Sequence, residues 1–126
     1  MTSKTLLLRQ VNPSWIQQGR VTSQLFRPTP KDNNLLSVYN GDLTTAEQAW
    51  QHFTDSLGYQ SVGVMAVSVQ ECIFHELAAR PDPHPFPAHA VIDFDEHPDG
   101  EIRRKAKHLK KAAEVRGWQY QITESG

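Results

Sequence analysis

The stretch SVGVMAV, residues 61 to 67, is apolar at almost every position and has the length of a β-strand. A continuous apolar run is typical of a strand that is covered on both faces, because a strand with one wet face alternates apolar with polar residues. This run therefore predicts a central strand, and the rest of the fold is expected to assemble around it.

A helix is predicted before this strand, in TTAEQAWQHFTDSLG, residues 44 to 58. Thr44 and Glu47 have the spacing of a capping box, in which two residues at the start of a helix satisfy each other's backbone N–H groups. Apolar residues then recur on one helical face, and Gly58 is a typical stop signal. That face is expected to pack on the core.

Two further helices are predicted after the strand. Ser68 and Glu71 repeat the capping-box spacing, and the apolar periodicity that follows them continues to Leu77. The segment from residue 101 to 116 has a narrow apolar stripe with basic residues around it, and a glycine follows as its stop.

The remaining apolar segments predict one turn and several strands. Asn12 followed by Pro13 favours a single helical turn. Strand candidates lie at residues 5–11, 21–26, 35–39 and 88–94, with a possible edge strand at 118–122.

These elements predict one domain over residues 1–126, with residues 1–4 and 123–126 as loose termini. Strands and helices interleave without strict alternation, which favours the α+β class. We expect a mixed or antiparallel sheet of about five to six strands with three main helices.

The composition is that of an ordinary folded domain, with 38% apolar and 21% charged residues. No stretch is apolar for long enough to cross a bilayer, and the first residues lack a signal-peptide pattern. Cys72 is the only cysteine, so no internal disulfide can form, and its apolar neighbours predict a buried thiol. We therefore expect a cytoplasmic protein.

The net charge of −1 is unevenly distributed along the chain. Residues 1 to 100 hold six Lys/Arg and eleven Asp/Glu, a net charge of −5, whereas residues 101 to 126 hold seven and three, a net charge of +4. An acidic body with one basic helix favours a protein partner with an acidic surface, because the body would repel a nucleic acid. If a nucleic acid does bind, the candidate contacts are the helix cations Arg103, Arg104, Lys107, Lys110 and Lys111, which are expected on the wet face.

The histidine-rich and acidic segment PDPHPFPAHAVIDFDEHPD, residues 81 to 99, raises the question of a metal site. His89 and Asp93 are four strand residues apart, about 13 Å, which is too far to share one ion. We therefore predict no metal, and no cofactor either, since no glycine-rich phosphate loop is present. Instead the segment predicts a strand with His89 on one face and an inward face of four apolar residues: Ala88, Ala90, Ile92 and Phe94.

Four polar residues stand inside apolar strand candidates, namely Arg9, Ser23, Ser37 and His89. Such groups must be hydrogen-bonded or exposed, and they would form a small cationic pocket if the sheet brought them together. These four are the candidate catalytic residues, and Asp82 joins Arg9, Ser37 and His89 as a candidate ligand-binding residue. The alternative is that they face solvent on an open side of the sheet.

Five short motifs follow one another along the chain. They are RxxxPxW from residue 9, SxxF from residue 23, LSV from residue 36, DPxP from residue 82 and PAHA from residue 87. In this order the chain resembles a group of small bacterial proteins of unknown function. The resemblance spans about residues 7 to 113 and implies a bacterial origin. It also marks the same polar residues, from Arg9 to His89, as members of the pattern.

A looser analogy connects the chain with ADP-ribosyltransferase-like toxins. In those proteins an arginine on the first strand and a serine on a later strand hold a nicotinamide dinucleotide, and an acidic residue completes the site. Arg9 and either Ser23 or Ser37 would take the first two places here. The sequence departs from the pattern because it has no late strand with a glutamate that could take the third.

Two classes of function follow. The first is an interaction module that binds a protein partner in an operon-encoded system, of the toxin–antitoxin or defence type. The alternative is an enzyme that acts on a nucleotide or nucleic acid, possibly like an ADP-ribosyltransferase, through a pocket of Arg9, Ser37 and His89. Convergence of these three side chains in the fold would favour the alternative.

Overall fold

The apolar run around residues 61 to 67 forms an inner strand of a six-stranded antiparallel sheet, and all six residues of the strand Gly63–Ser68 are buried. The structure is a computed structural model and describes residues 1–122. The strands are, in chain order, β1 Leu6–Gln10, β2 Ile16–Gln17, β3 Arg20–Val21, β4 Leu35–Asn40, β5 Gly63–Ser68, β6 Ala78–Pro81, β7 His89–Asp93 and β8 Tyr120–Gln121. The α-helices are α1 Ala46–Gln51, α2 Val69–Phe74 and α3 Asp99–Arg116.

The main sheet has the order β6-β7-β4-β1-β5-β8, and every neighbouring pair is antiparallel. Strands β2 and β3 form a separate two-stranded hairpin. The predicted α+β class is confirmed, and the sheet is antiparallel throughout the described chain. None of the described helices has the length and apolar composition needed to cross a bilayer.

Both faces of the sheet are covered, because side chains of alternate strand residues enter two different apolar clusters. On one face, residues such as Leu7, Val38 and Met65 pack under α2 and α3. On the other face, Leu8 and Tyr39 pack under α1. The alternative of an open, solvent-facing side of the sheet therefore does not apply where α1 lies.

The first helix differs from the prediction at both ends. Thr45, and not Thr44, is the N-cap, since the Thr45 hydroxyl accepts a hydrogen bond from the Gln48 N–H at 3.2 Å. After Gln51 the helix continues as a π-helical turn over His52–Ser56 before it ends. π-Helical turns are rare and occur frequently at functional sites.

The predicted strand at residues 21–26 is wrong. Only Arg20–Val21 is extended, and Ser23–Phe26 is a 3₁₀ turn. Leu25 and Phe26 are adjacent and both fully buried, which a turn allows and the alternation of a strand does not. Ser23 therefore does not stand on a strand.

The second helix is shorter than predicted, although its Ser68 and Glu71 capping box is confirmed. It ends at Phe74, and Ala78–Pro81, read as the tail of a helix and a loop, forms the edge strand β6. A proline is tolerated there because an edge strand leaves one side of its backbone unpaired.

The third helix matches its prediction closely, with Gly117 after it at φ 89°. One of its cations departs from the expected wet face. Lys105 is 5% exposed, and its ammonium donates to the backbone carbonyl of His75.

Strand β7 covers most of the predicted segment 88–94. Ala90, Ile92 and Phe94 enter the core as predicted. Ala88, predicted to point the same way, packs instead with the cluster on the opposite face. The predicted loose residues 123–126 lie outside the described residues, and at the other end the Ser3 carbonyl accepts from the Gln70 N–H at 2.9 Å.

The two innermost strands separate along their length. β1 and β4 pair at only two positions, Leu7 with Asn40 and Leu8 with Tyr39. Beyond them β1 continues to Gln10 against β5, while β4 runs on against β7. The gap that opens between the two strands is bridged by the Arg9 side chain and not by a backbone ladder.

Candidate functional site

A cleft of about 740 Å³ lies where β1 and β4 separate. Its walls come from these two strands, from the π-helical turn that ends α1 and its continuation to residue 60, and from the proline-rich loop before β7. Arg9, Ser37 and His89 all line it, so three of the four polar strand candidates converge at one place.

Arg9 bridges the gap between the separated strands. Its Nη1 donates to the Ser37 carbonyl at 2.8 Å and its Nε donates to the Leu25 carbonyl at 2.8 Å, while the Trp15 ring lies 5.0 Å from the guanidinium carbon. Burial lowers the pKa of Arg9 to about 10, so the group is still a cation at neutral pH. None of the ion pairs among residues 1–122 includes it.

His89 connects Ser37 with Asp82 in one line of polar contacts. The Nε2 atom of His89 lies 3.1 Å from the Ser37 hydroxyl. Its Nδ1 atom lies 2.8 Å from the backbone carbonyl of Asp82 and 3.3 Å from the Asp82 carboxylate. His89 is only 8% exposed, so the surrounding protein holds the ring in place. Its location on the strand face away from Ile92 was predicted, but its partners were not.

Gln10 is the one residue of the described chain whose buried side-chain polar atoms have no hydrogen-bond partner. It lines the cleft, it is 5% exposed, and both atoms of its amide are unpaired. An unpaired buried polar group costs about 1–3 kcal/mol, and functional sites are where such costs are commonly found.

Aromatic rings form much of the rest of the cleft wall. Phe86 lies 5.0 Å from the Tyr39 ring and 5.2 Å from the His89 ring, and Phe53 and Tyr59 face each other at 5.1 Å. The Tyr39 hydroxyl is 2.8 Å from Nδ1 of His52, and burial raises the pKa of Tyr39 to about 12. These rings present flat apolar surfaces against which a planar ligand can stack.

The other site candidates lie elsewhere. Ser23 lines two other pockets beside α3 and does not line the cleft. On α3, Arg103 pairs with Asp99 at 3.1 Å, and Arg104 pairs with Glu101. Lys110 pairs with Glu114 at 3.2 Å, which leaves Lys107 and Lys111 as the two of the five candidates without an ion pair in the described chain.

No group of three or more His, Cys, Asp or Glu side chains in residues 1–122 is arranged to hold a metal ion. Cys72 is fully buried as predicted, and burial together with the charge of Glu71 raises the pKa of its thiol to about 12. It therefore has no accessible thiolate.

Sequence reasoning missed Gln10 and the aromatic wall. A glutamine at the end of a strand is ordinary in sequence, and its neighbours along the chain do not indicate that its amide is buried without a partner. Phe86 and Tyr59 stand in irregular segments, where periodicity gives no signal. The aromatic residue inside the proline-rich loop is the one feature that could have drawn attention.

Comparisons of the chain with protein-family models, with curated proteins and with solved structures find no match. A fold alone does not imply a function, so function is inferred here from the residues of the cleft.

Proposed function

We propose that the cleft binds a small ligand that combines a flat ring with an anionic group, and that nucleotides are the class that fits it. The observation that carries this proposal is Arg9, a half-buried cation with no carboxylate partner among residues 1–122. A charge that is partly withdrawn from water is stabilised by an opposite charge, and an anionic ligand would supply one to Arg9.

The remaining features of the cleft support a ring as the second part of the ligand. Its aromatic walls offer stacking surfaces, and its volume of about 740 Å³ lies within the range of small-molecule sites. His89 is placed to give or take a proton, which supports an enzyme over a passive binder. The proposal does not extend to ADP-ribosyl transfer, because no Asp or Glu of the described chain lines the cleft.

The test is a calorimetric titration of the full chain with nucleoside monophosphates and their parent nucleosides. We expect a nucleotide to bind at least about 10-fold more tightly than its nucleoside, because only the nucleotide has an anion for Arg9. Arg9→Gln should remove this difference, whereas Lys31→Gln, which removes an exposed and distant cation, should preserve it. Equal affinity for nucleotide and nucleoside, or binding of neither, would contradict the proposal.

The second candidate function is binding of a protein partner with an acidic surface. The observation that favours it is that Lys107 and Lys111 on α3 are exposed and have no ion pair in the described chain. In this proposal the protein is one member of an operon-encoded system of the toxin–antitoxin or defence type. A stoichiometric partner should co-purify from the native host and be lost on reversal of both lysine charges, but be kept in Lys31→Glu. Absence of a stoichiometric partner removes this candidate, as does equal retention by all variants.

Both candidates are compatible with the cytoplasm as the proposed location. Support comes from the single cysteine of the sequence, because proteins of oxidising compartments commonly carry disulfides.

A further inference from the structure

We infer that Ser37 is a nucleophile, that His89 is its general base, and that Asp82 orients His89, so that the cleft supports acyl transfer from a carboxylic ester. A serine hydroxyl, an imidazole and a carboxylate in line are recognised by their geometry and roles, and not by their order in the chain. Here the two connecting distances are 3.1 Å and 3.3 Å.

The partners of His89 fix which of its nitrogens holds the proton in the neutral ring. Nδ1 faces two acceptors, the backbone carbonyl and the carboxylate of Asp82, so this nitrogen is the N–H donor. Nε2 is then the unprotonated nitrogen, and the Ser37 hydroxyl donates to it. This is the tautomer that a general base for Ser37 needs.

Ser37 is accessible from the cleft, whereas its base is enclosed. Ser37 is exposed and lines the cleft, and both strand neighbours of Ser37, Leu36 and Val38, are buried. His89 beside it is 8% exposed, and the Phe86 ring packs against the imidazole at 5.2 Å. The reacting atom thus faces substrate, while the base is held in a fixed orientation.

Gln10 supplies a donor for the charge that develops in an acyl transfer. Continuing the register from Leu8 opposite Tyr39 would place Gln10 opposite Ser37, on the same face of the sheet. Gln10 is one of the residues that line the cleft, and its amide is buried with no partner in the described chain. A rotation of the side chain that turns the amide N–H towards the substrate carbonyl would let it stabilise the oxyanion of a tetrahedral intermediate.

The electrostatics of the cleft favour a carboxylic ester over a phosphate ester as the substrate. Stabilisation of a transferring phosphoryl group usually needs several cations or a metal ion. Arg9 is the only Lys or Arg among the described residues that line the cleft, and one cation can bind an anionic group of a ligand without supplying the several charges that phosphoryl transfer needs. One amide donor is enough to begin an oxyanion site for a carbonyl.

The reaction needs only the ester and water. The Ser37 oxygen forms a bond to the ester carbonyl carbon while its proton passes to Nε2 of His89. The bond from that carbon to the ester oxygen then breaks, and His89 gives the proton to the departing alcohol. Water attacks the acyl group on Ser37 by the same steps in reverse and releases the acid and the free serine.

This inference rests on the proposed function only because both use the same cleft. It adds that the ligand with the ring and the anion also carries a carboxylic ester group, which is the group that Ser37 attacks. The two proposals are separable because covalent labelling of Ser37 does not require nucleotide binding, and nucleotide binding does not require a reactive serine.

The experiment is to treat the full chain with a fluorophosphonate probe, which forms a stable bond to activated serines, and to locate the adduct by peptide mass spectrometry. We expect one adduct per chain, on Ser37. Ser37→Ala should abolish labelling, and His89→Asn and Gln10→Met should each slow it by about 100-fold or more. Asp82→Asn should slow it less, by about 10-fold, since the Asp82 backbone carbonyl still orients the imidazole.

Ser23→Ala is the matched control and should be labelled at the wild-type rate, because Ser23 lies outside the cleft. If His89→Asn does not fold, Asp82→Asn and Gln10→Met still provide the test, since both residues can be changed without opening a cavity. No adduct, an adduct on another residue, or unchanged rates in these variants would overturn the inference. Labelling of Ser37 without any nucleotide binding would overturn only the proposed function, and nucleotide binding without labelling would overturn only the nucleophile.

Discussion

Gln10 is a residue whose place in the fold is explained by function better than by stability. Its amide is buried with neither atom paired in the described chain, although the same position could hold an apolar side chain. Polar groups that destabilise a protein and are nevertheless present are typical of binding and catalytic sites.

We predict that Gln10→Met stabilises the free protein. The substitution keeps the length of the side chain and removes an unpaired amide, so the free energy of unfolding should rise by about 1 kcal/mol. Urea denaturation of the two proteins measures the difference, with Gln24→Met at an exposed position as the control that should change little. A loss of stability in Gln10→Met would show that the amide has partners and would remove it from the site.

At this scale the sequence identifies which residues are unusual but not how they are paired. Arg9, Ser37 and His89 were predictable as candidates because each is polar within an apolar segment. The contact of Ser37 with His89 depends on the diagonal position of the two residues on the paired strands β4 and β7. These strands are far apart in the chain, and no local feature of the sequence indicates the register in which they pair.

The helices and strands agree with their predictions wherever one clear apolar pattern extends over the whole segment. The helix α3 and the strand β5 are examples, since each buries one continuous set of apolar side chains. The turn at Ser23–Phe26 was not predictable, because tertiary burial of Leu25 and Phe26 overrides the local preference for a strand. The edge strand β6 was not predictable either, because its strand conformation depends on pairing with β7.

The start of α1 provides a prediction about capping. Thr45→Ala should lower the free energy of unfolding by about 1 kcal/mol, because it leaves the Gln48 N–H without its side-chain acceptor. Thr44→Ala is the matched control one residue earlier and should have almost no effect, since the Thr44 hydroxyl does not cap the helix. The reverse order of the two losses in thermal or urea denaturation would restore Thr44 as the cap.

The edge strand β6 provides a prediction about pH. The hydrogen bond from Arg80, at 2.8 Å across β6 and β7, is the main cause that holds the pKa of Asp93 below its usual value, and the Asp95 N–H adds to it. Because the pKa is lower in the folded state, this pair stabilises the protein above the unfolded pKa of about 3.9, and that stabilisation is lost as the pH falls through the lowered value.

An NMR titration of the Asp93 carboxyl group checks this assignment. In Arg80→Gln its midpoint should move upward towards the usual value, while Arg20→Gln, which removes a cation paired with Glu114, should leave it in place. An Asp93 midpoint that does not respond to Arg80→Gln contradicts the assigned cause.

At the scale of the whole molecule, the decisive feature is the separation of β1 from β4 inside an otherwise continuous sheet. If β1 and β4 were paired along their whole length, the Ser37 carbonyl would accept a backbone hydrogen bond from β1 and no space would be left beside it. The separation instead leaves a gap that Arg9 spans and an aromatic-walled cleft in which the polar candidates meet. This geometry depends on the relative twist and length of four strands, so it could not be predicted from residue patterns along the chain.

The central claim is that this cleft is a ligand site, and an NMR titration with a nucleoside monophosphate tests it most directly. The reporters are three side-chain N–H groups of the cleft: Arg9 Nε–H, Trp15 Nε1–H and the Gln10 amide. We predict that all three shift and saturate together, whereas the backbone amides of Lys107 and Lys111 on α3 do not move. Shifts confined to α3, or no saturable shift in any of the three reporters, would contradict the account.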